Sequence, residues 1–382
     1  MTREEIVAAS GRYEMPAYPR IDLVAVRGKG PWVWDLDGTR YLDLYGGHAV
    51  SLLGHSPERV VDAIAAQARD LLFYSNIVHC PARARASARL CRLAPWPDAQ
   101  VFYVNSGAEA NETALKIARK ATGRTSVVAF HGGFHGRTLG ALAATALGHY
   151  RDQAAPLLTA HSFRFASPGE DLSPIDQHCA AVLIEPVQSM GGMRTLTPEF
   201  ARALRRRCDE TGALLVFDEV QTAPARTGAW FAGAHWGVTP DLITTAKGIA
   251  SGFPAAVVLA SGAVAASVRS GDQGTTFGGG PVACAAIDAT LGLLEEIDAP
   301  ARARAIEGRV RRGLGGRDVL GLGALLGIRV PGPAAIERLR RERRVVVGGC
   351  PGDATLVRIF PPLNITDAEL DEGIAALRSV LA

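Results

Sequence analysis

Lysine is scarce in this 382-residue sequence: Lys29, Lys116, Lys120 and Lys247 stand against 37 arginines. The bland reading of that bias is a GC-rich codon usage, and any chemistry requiring a primary amine on a side chain has only four candidates. Cysteine is sparse too. Cys80, Cys91, Cys179, Cys208, Cys284 and Cys350 are scattered without a C-x-x-C pair, which indicates neither a zinc knuckle nor a disulfide framework but buried thiols. No window holds 18 uninterrupted apolar residues, and Met1-Thr2-Arg3-Glu4-Glu5 lacks the basic-then-apolar pattern of a secretion signal. The expectation is a cytoplasmic protein without a membrane span. An excess of one charge is also missing, since 41 Lys plus Arg against 38 Asp plus Glu leave a net charge of +3. That balance argues against a nucleic-acid partner, whose phosphates need a concentrated basic face. What is present, 48% apolar and 21% charged residues, builds a large core and excludes disorder as the main state.

Apolar runs of the buried-strand type occur at Val101–Val104, Val127–Phe130, Ala181–Ile184, Ala213–Phe217, Leu242–Thr245 and Ala256–Leu259. Helical patterns such as Glu109–Lys120 and Pro198–Glu210 lie between several of them, so strand and helix alternate. This predicts an α/β fold with a mostly parallel central sheet covered by helices, and ligands at the carboxyl ends of its strands. The ends of the chain read differently. Val33 to Leu42 predicts two short strands around an Asp-Gly turn. Beyond residue 285 a long helical pattern is followed by short strands at Leu325–Val330, Val345–Val347 and Leu356–Ile359. A last helix is expected over Thr366–Leu381, with Thr366 and Glu369 as a capping box. The division expected is residues 1–50 and 285–382 as a smaller α+β domain and 51–284 as the large domain.

Four segments carry chemistry. Asn105 to Glu112 follows a strand and opens a helix, with small residues and free N–H groups suited to an anion, most often phosphate; an ordinary Ser106 N-cap explains the same pattern. His131 to Thr138 is a glycine-rich loop containing Phe134 and Arg137, types that stack on a flat ring and grip a carboxylate. A metal held by His131 and His135 is the rival, but three glycines oppose the helix that i,i+4 ligands need, and no metal is expected. Asp218 ends a fully apolar strand, where an acid is costly without a cationic partner. Lys247 also follows an apolar strand, in surroundings that would desolvate an amine as a Schiff-base lysine requires. Lys116 and Lys120, one helical turn apart, read as a solvated helix face, and Lys29 as part of a Gly-flanked loop. The Asp218-Glu219 strand end also suits a phosphate-loop ATPase, but no G-x-x-x-x-G-K-[ST] occurs. A phosphate site, a ring stacker, a buried carboxylate and a desolvated lysine are together the parts needed for pyridoxal 5'-phosphate (PLP).

From about Trp32 to Leu363 the sequence resembles the class III aminotransferases of the ornithine and acetylornithine type. The matching segments include Trp34-Asp35 through Gly54-His55, Asn105 to Glu112, Phe134 to Thr138, Glu185-Pro186-Val187-Gln188, Asp218 to Gln221, Arg226-Thr227-Gly228, Ala246-Lys247-Gly248 and Thr276 to Gly279. The resemblance implies fold type I of the PLP-dependent transferases and a homodimer with shared active sites. It implies that Lys247 joins the cofactor and shuttles a proton, and that Asp218 pairs with the ring nitrogen. Gln221 would bond the ring hydroxyl, Phe134 and Val220 would sandwich the ring, and His135 would belong to the cofactor site. Ser106, Gly107 and Ala108 would hold the phosphate, with Thr276 reaching it from the other subunit. Arg137 and Arg358 match the family's arginines for substrate carboxylates, and Glu185 would also face the substrate.

The implied activity is transfer of an amino group from an acylornithine-like omega-amino donor to 2-oxoglutarate, as in arginine or lysine biosynthesis. The alternatives are the same fold acting on an alpha-amino acid, 4-aminobutyrate or a diamine, an aminomutase, or a non-catalytic binding protein, which the intact set Asp218, Gln221 and Lys247 opposes. Departures bear on the donor. Met190 stands where the acetylornithine type has the glutamate that masks the arginine matching Arg358, so Arg358 is expected either to stay open or to be masked by another residue such as His48. Gly280, Ala223-Pro224-Ala225 and Leu320 to Gly323 also depart from the family pattern.

Overall fold

All six apolar runs form strands, and a seventh, Phe163–Ala166, joins them at one edge. The sheet order is Gln100–Val104, Ala256–Ala260, Leu242–Thr245, Leu214–Asp218, Cys179–Ile184, Ser126–Phe130, Phe163–Ala166. The computed structural model that shows this describes residues 1–158, 162–169, 171–315 and 317–381. Neighbouring strands are parallel except Ala256–Ala260, which runs against both its neighbours. Cys179–Ile184, Leu242–Thr245 and Ala256–Ala260 are buried at every position, as unbroken apolar runs require when both sheet faces are covered.

The two-residue period of the strands divides these side chains between two helix layers. Val127, Ala129, Ala181 and Leu183 face Ala110, Ala114, Leu115 and Ala118 of the helix Gly107–Thr122. Val128, Phe130, Val182 and Ile184 face Phe200, Ala201 and Leu204 of the helix Pro198–Thr211. The second helix starts where Thr197 Oγ1 accepts the Phe200 N–H at 3.2 Å, with Pro198 in the first turn, and stops at Gly212 with φ +72°.

The expected hairpin is present as Trp32–Asp35 antiparallel to Arg40–Asp43, with Asp35 Oδ1 accepting the N–H groups of Asp37 (3.1 Å) and Thr39 (2.8 Å) across the turn. Val345–Val346 pairs in parallel with Arg40–Asp43, so the two ends of the chain share one sheet. Val319–Leu322, Leu325–Arg329, Asp353–Ile359 and Gly348–Cys350 make a second four-stranded sheet. The helix Pro281–Glu296 runs through residue 284, where the division of the chain was expected. The final helix, Asp367–Leu381, begins with the expected reciprocal bonds: Glu369 N–H to Thr366 Oγ1 at 3.3 Å and Thr366 N–H to Glu369 Oε2 at 2.9 Å. Lys29 closes the strand Ala25–Lys29 instead of lying in a loop. All the cysteines are buried except the half-buried Cys91. Among the described residues no helix is long and apolar enough to cross a membrane.

Candidate active site

Four parallel strands present their carboxyl ends to one edge of the sheet, and the segments that leave them meet around a cavity of about 390 Å³. Ser126–Phe130 delivers the Phe134 loop, Cys179–Ile184 delivers Glu185, Leu214–Asp218 ends at Asp218, and Leu242–Thr245 leads to Lys247. Ser106, Gly107, Ala108, Phe134, His135, Glu185, Asp218, Val220, Gln221 and Lys247 all border this space, as does Met190.

Asp218 is held by three donors. Its Oδ2 accepts from Asn111 Nδ2 at 2.8 Å and His135 Nδ1 at 2.7 Å, and its Oδ1 from the Val220 N–H at 3.1 Å. Asn111 is fixed in turn, because its Oδ1 accepts from Thr244 Oγ1 at 2.7 Å and its Nδ2 also donates to the His135 carbonyl at 2.8 Å. Burial opposes a charge on His135, but the Asp218 hydrogen bond, the Asp218 charge and the Glu185 charge outweigh it and raise its pKa. The carboxylate therefore faces the cavity from a fixed, hydrogen-bonded support. Asn111 was not anticipated. The available signal was a polar side chain in register with Ala114, Leu115 and Ala118, on the face of its helix that meets the sheet.

Lys247 begins the short turn Lys247–Ala250 with φ +45°, a conformation costly for any residue with a Cβ. Burial lowers the pKa of its amine; Asp218 and Glu185 oppose this, and Arg358 adds to it. Glu185 is pushed up to about 7 by burial, against the attraction of His135, and its Oε1 accepts the Phe134 N–H at 2.7 Å. The other three lysines are exposed and do not border the cavity.

The opposite wall is an anion cradle. Ser106 caps the 16-residue helix Gly107–Thr122, whose first N–H groups and positive end point into the space. A Cβ on Gly107 would lie 2.7 Å from Val220 Cγ1, and one on Gly136, at φ +136°, would lie 2.6 Å from Ala108 Cβ. The backbone thus comes closer here than any side chain permits. The cradle, the flanking Phe134 and Val220, the supported Asp218 and the desolvated amine fit a flat, phosphorylated pyridine aldehyde.

The remaining expected residues, Arg137, Thr276, Arg358 and His48, are not among those that border this cavity. Arg137 is exposed, its guanidinium 4.7 Å from the Tyr150 ring and 5.4 Å from the Tyr18 ring. Thr276 is exposed in the loop before Gly278 and does not border the cavity of its own chain. Arg358 is 3% exposed and donates to Gly349 O (2.8 Å), Ser189 Oγ (3.2 Å) and Tyr45 Oη (3.2 Å). His48 contacts Tyr45 and is not a direct partner of Arg358. It sits in a run of positive φ, Gly46 +56°, Gly47 +55°, His48 +67° and Ala49 +68°. This turn costs about 1–2 kcal/mol at each residue bearing a Cβ, and is tied down by Asp43 Oδ1, which accepts the N–H groups of Tyr45 and Gly46, and by Gln221, which donates to His48 O at 3.4 Å.

Tyr45 has no room to spare. A Cβ on Gly348 would come 2.0 Å from its Cε2, so Gly348→Ala is expected to displace the Tyr45 ring, to destabilise the fold by about 1–3 kcal/mol, and to weaken carboxylate binding. Thermal denaturation and 2-oxoglutarate titration check this; an unchanged melting temperature and affinity would show that Tyr45 does not depend on this packing.

The family model described as "Aminotransferase class-III" matches residues 13–381. An acetylornithine aminotransferase of Methanothermobacter thermautotrophicus is 36% identical over 394 residues, covering 100% of both chains. A LysW-aminoadipate semialdehyde/glutamate semialdehyde transaminase of Sulfurisphaera tokodaii is 36% identical over 366 residues, 93% of this chain and 94% of that one. Among solved structures, taurine:2-oxoglutarate aminotransferase from Bifidobacterium kashiwanohense, in complex with PLP and glutamate, superposes with a TM-score of 0.91 at 26% identity, covering 100% of this chain and 98% of that one.

Proposed function

Since the chain belongs to the class-III aminotransferases, we propose that it carries an amino group from an omega-amino donor of the acylornithine or ornithine type to 2-oxoglutarate, with PLP as cofactor. The observation that carries this reading is the convergence of a desolvated lysine amine, a supported aspartate and a helix N-terminus on one cavity. When bound, the cofactor supplies an aldehyde that joins amines and a protonated pyridine ring that draws electrons from the donor carbon.

The chain's own residues supply position and proton movement. Ser106 and the N–H groups of Gly107 and Ala108 bind phosphate, while Phe134 and Val220 flank the ring and Gln221 reaches its hydroxyl. Asp218, braced by Asn111 and His135, holds the proton on the ring nitrogen. Lys247 Nζ, whose pKa desolvation lowers, takes a proton from the amino-bearing carbon of the donor and returns it. Glu185 holds the Phe134 backbone and flanks the amine. Arg137 and Arg358 receive carboxylates, two guanidinium groups for the two ends of a dicarboxylic acceptor.

A homodimer completes the assignment. Leu72, Phe73, Tyr74, Ile77 and Phe277 are 40% to 85% exposed, and the Phe73 and Phe277 rings meet at 5.3 Å. An apolar face of this kind favours a partner surface, and it adjoins Thr276. We assign it to the subunit interface, with Thr276 directed to the partner's phosphate site; sedimentation of the holoenzyme as a monomer would overturn this.

Single-turnover conversion of the cofactor by N-acetylornithine, ornithine, 4-aminobutyrate and glutamate tests the donor class. The omega-amino donors should convert it, with N-acetylornithine fastest. The absence of a carboxylate beside Arg358 among the described residues favours a second reading, in which the donor itself presents a carboxylate there. Conversion by glutamate alone would establish that reading and overturn the first. Arg358→Ala should raise the 2-oxoglutarate KM about 30-fold or more, as the loss of a buried charge pair of at least about 2 kcal/mol implies. An unchanged KM would place the carboxylate elsewhere.

A further inference from the structure

Arg358 is a buried guanidinium whose hydrogen-bond partners are all neutral, and its Tyr45 partner is bonded onward. Tyr45 Oη lies 2.5 Å from His48 Nδ1, with the two rings edge to face at 5.0 Å. The Tyr45 ring also stacks on Phe360 at 5.5 Å, which fixes the hydroxyl beside Arg358. An arginine N–H can only donate, so Tyr45 Oη accepts from Arg358, and with His48 neutral its own hydrogen is directed to the lone pair of His48 Nδ1. His48 then carries its proton on Nε2. The left-handed turn Gly46–Ala49 holds the ring in this place at a cost in backbone strain.

We propose that Tyr45 and His48 form a reversible hydrogen-bond relay that gives the substrate carboxylate a second partner beside Arg358 and couples its binding to uptake of one proton. This rests on the reading of Arg358 as a carboxylate site. In the free enzyme donation runs from Arg358 to Tyr45 to His48. When a carboxylate arrives, Tyr45 turns its O–H to the new anionic acceptor. His48 takes one proton from solvent at Nδ1 and donates it in a hydrogen bond to Tyr45 Oη. No other bond forms or breaks, and Arg358 stays charged throughout.

The surrounding charges set the direction. His48 is depressed from its ordinary pKa by partial desolvation first, then by the positive charges of Arg358, Lys247 and Arg137. Tyr45 faces Arg358, Asp43, Tyr150 and Cys350, and burial raises its pKa, so it remains a phenol. A carboxylate at Arg358 offsets the nearest cation, which raises the pKa of His48 in the complex. By linkage the carboxylate binds more tightly as pH falls through that value. His48 is exposed, so the proton exchanges directly with solvent.

The test is calorimetric titration of the holoenzyme with glutarate, an unreactive five-carbon dicarboxylate, in buffers of different ionisation enthalpy. Wild type should take up more protons than His48→Asn, a substitution the left-handed turn tolerates. Its affinity should also rise between about pH 8 and about pH 6, a rise that His48→Asn loses. Tyr45→Phe keeps the stacked ring and should weaken glutarate about tenfold while abolishing the extra uptake. Equal proton uptake in wild type and His48→Asn, or an affinity that depends on Arg358 but not on Tyr45, would overturn the relay alone. If Arg358→Lys binds glutarate as wild type does, the carboxylate site itself is misassigned and the underlying reading fails.

Discussion

Lys247→Ala should reduce kcat by about four orders of magnitude, the upper end of what a positioned proton-transfer group contributes, because one side chain performs two tasks. It is the amine that the cofactor aldehyde joins and the base that moves the donor's proton, and no other lysine borders the cavity. Lys120 is paired with Asp272, and Lys29 and Lys116 are exposed. Lys247→Arg should be as inactive as the alanine variant, since a guanidinium keeps the positive charge but has no lone pair to offer at neutral pH. Neither variant should unfold, because among the described residues the amine makes no hydrogen bond on which the sheet depends. Borohydride reduction of wild type should add the cofactor's mass to the peptide containing residue 247 and to no other. Small primary amines should restore part of the activity of Lys247→Ala by entering the space the side chain leaves. Activity above about 1% of wild type without added amine would show that another group moves the proton.

That lysine was legible in the sequence because its signal is local: a strand, a sharp turn and small neighbours. The same holds for the cradle at Ser106–Ala108 and for Asp218, each at the carboxyl end of an apolar run. The strand Phe163–Ala166 lacked such a run because it lies at an edge, where Arg164 turns outward to Asp176 at 2.7 Å. Support around the site was illegible for a different reason. Asn111 reaches Asp218 across 107 residues, Thr244 reaches Asn111 across 133, and Tyr45 meets Arg358 across 313. A lone polar residue at a core-facing position announces that it needs a partner but not which one. Nor did the two glycines before His48 show that His48 and Ala49 would share their left-handed conformation, since a residue with a Cβ adopts it only when the surrounding structure compels it.

The same buried support makes Asp218→Asn the most informative change after Lys247. It should lower kcat by about three orders of magnitude, within the range that loss of a preorganised charge at the reacting centre produces. An amide cannot replace this carboxylate even in hydrogen bonding, because Oδ2 accepts from Asn111 and His135 at once. Whichever way the amide is turned, its NH2 meets at least one N–H donor, and a buried donor is left unmet. His135 also loses the hydrogen bond and the charge that raise its pKa. The consequence for stability has a definite sign. A histidine whose folded pKa is raised contributes stability fully below its unfolded value, and that contribution fades as pH rises through the folded value. The stability gap between wild-type and Asp218→Asn apoenzymes should therefore be widest below about pH 6.5 and narrow on the alkaline side. His135→Asn should close much of the gap at low pH, since it removes the proton that Asp218 stabilises. Denaturant melts of the cofactor-free proteins across pH would show this. A gap independent of pH would mean that His135 is neutral in the fold, and that Asp218 is held by neutral donors alone.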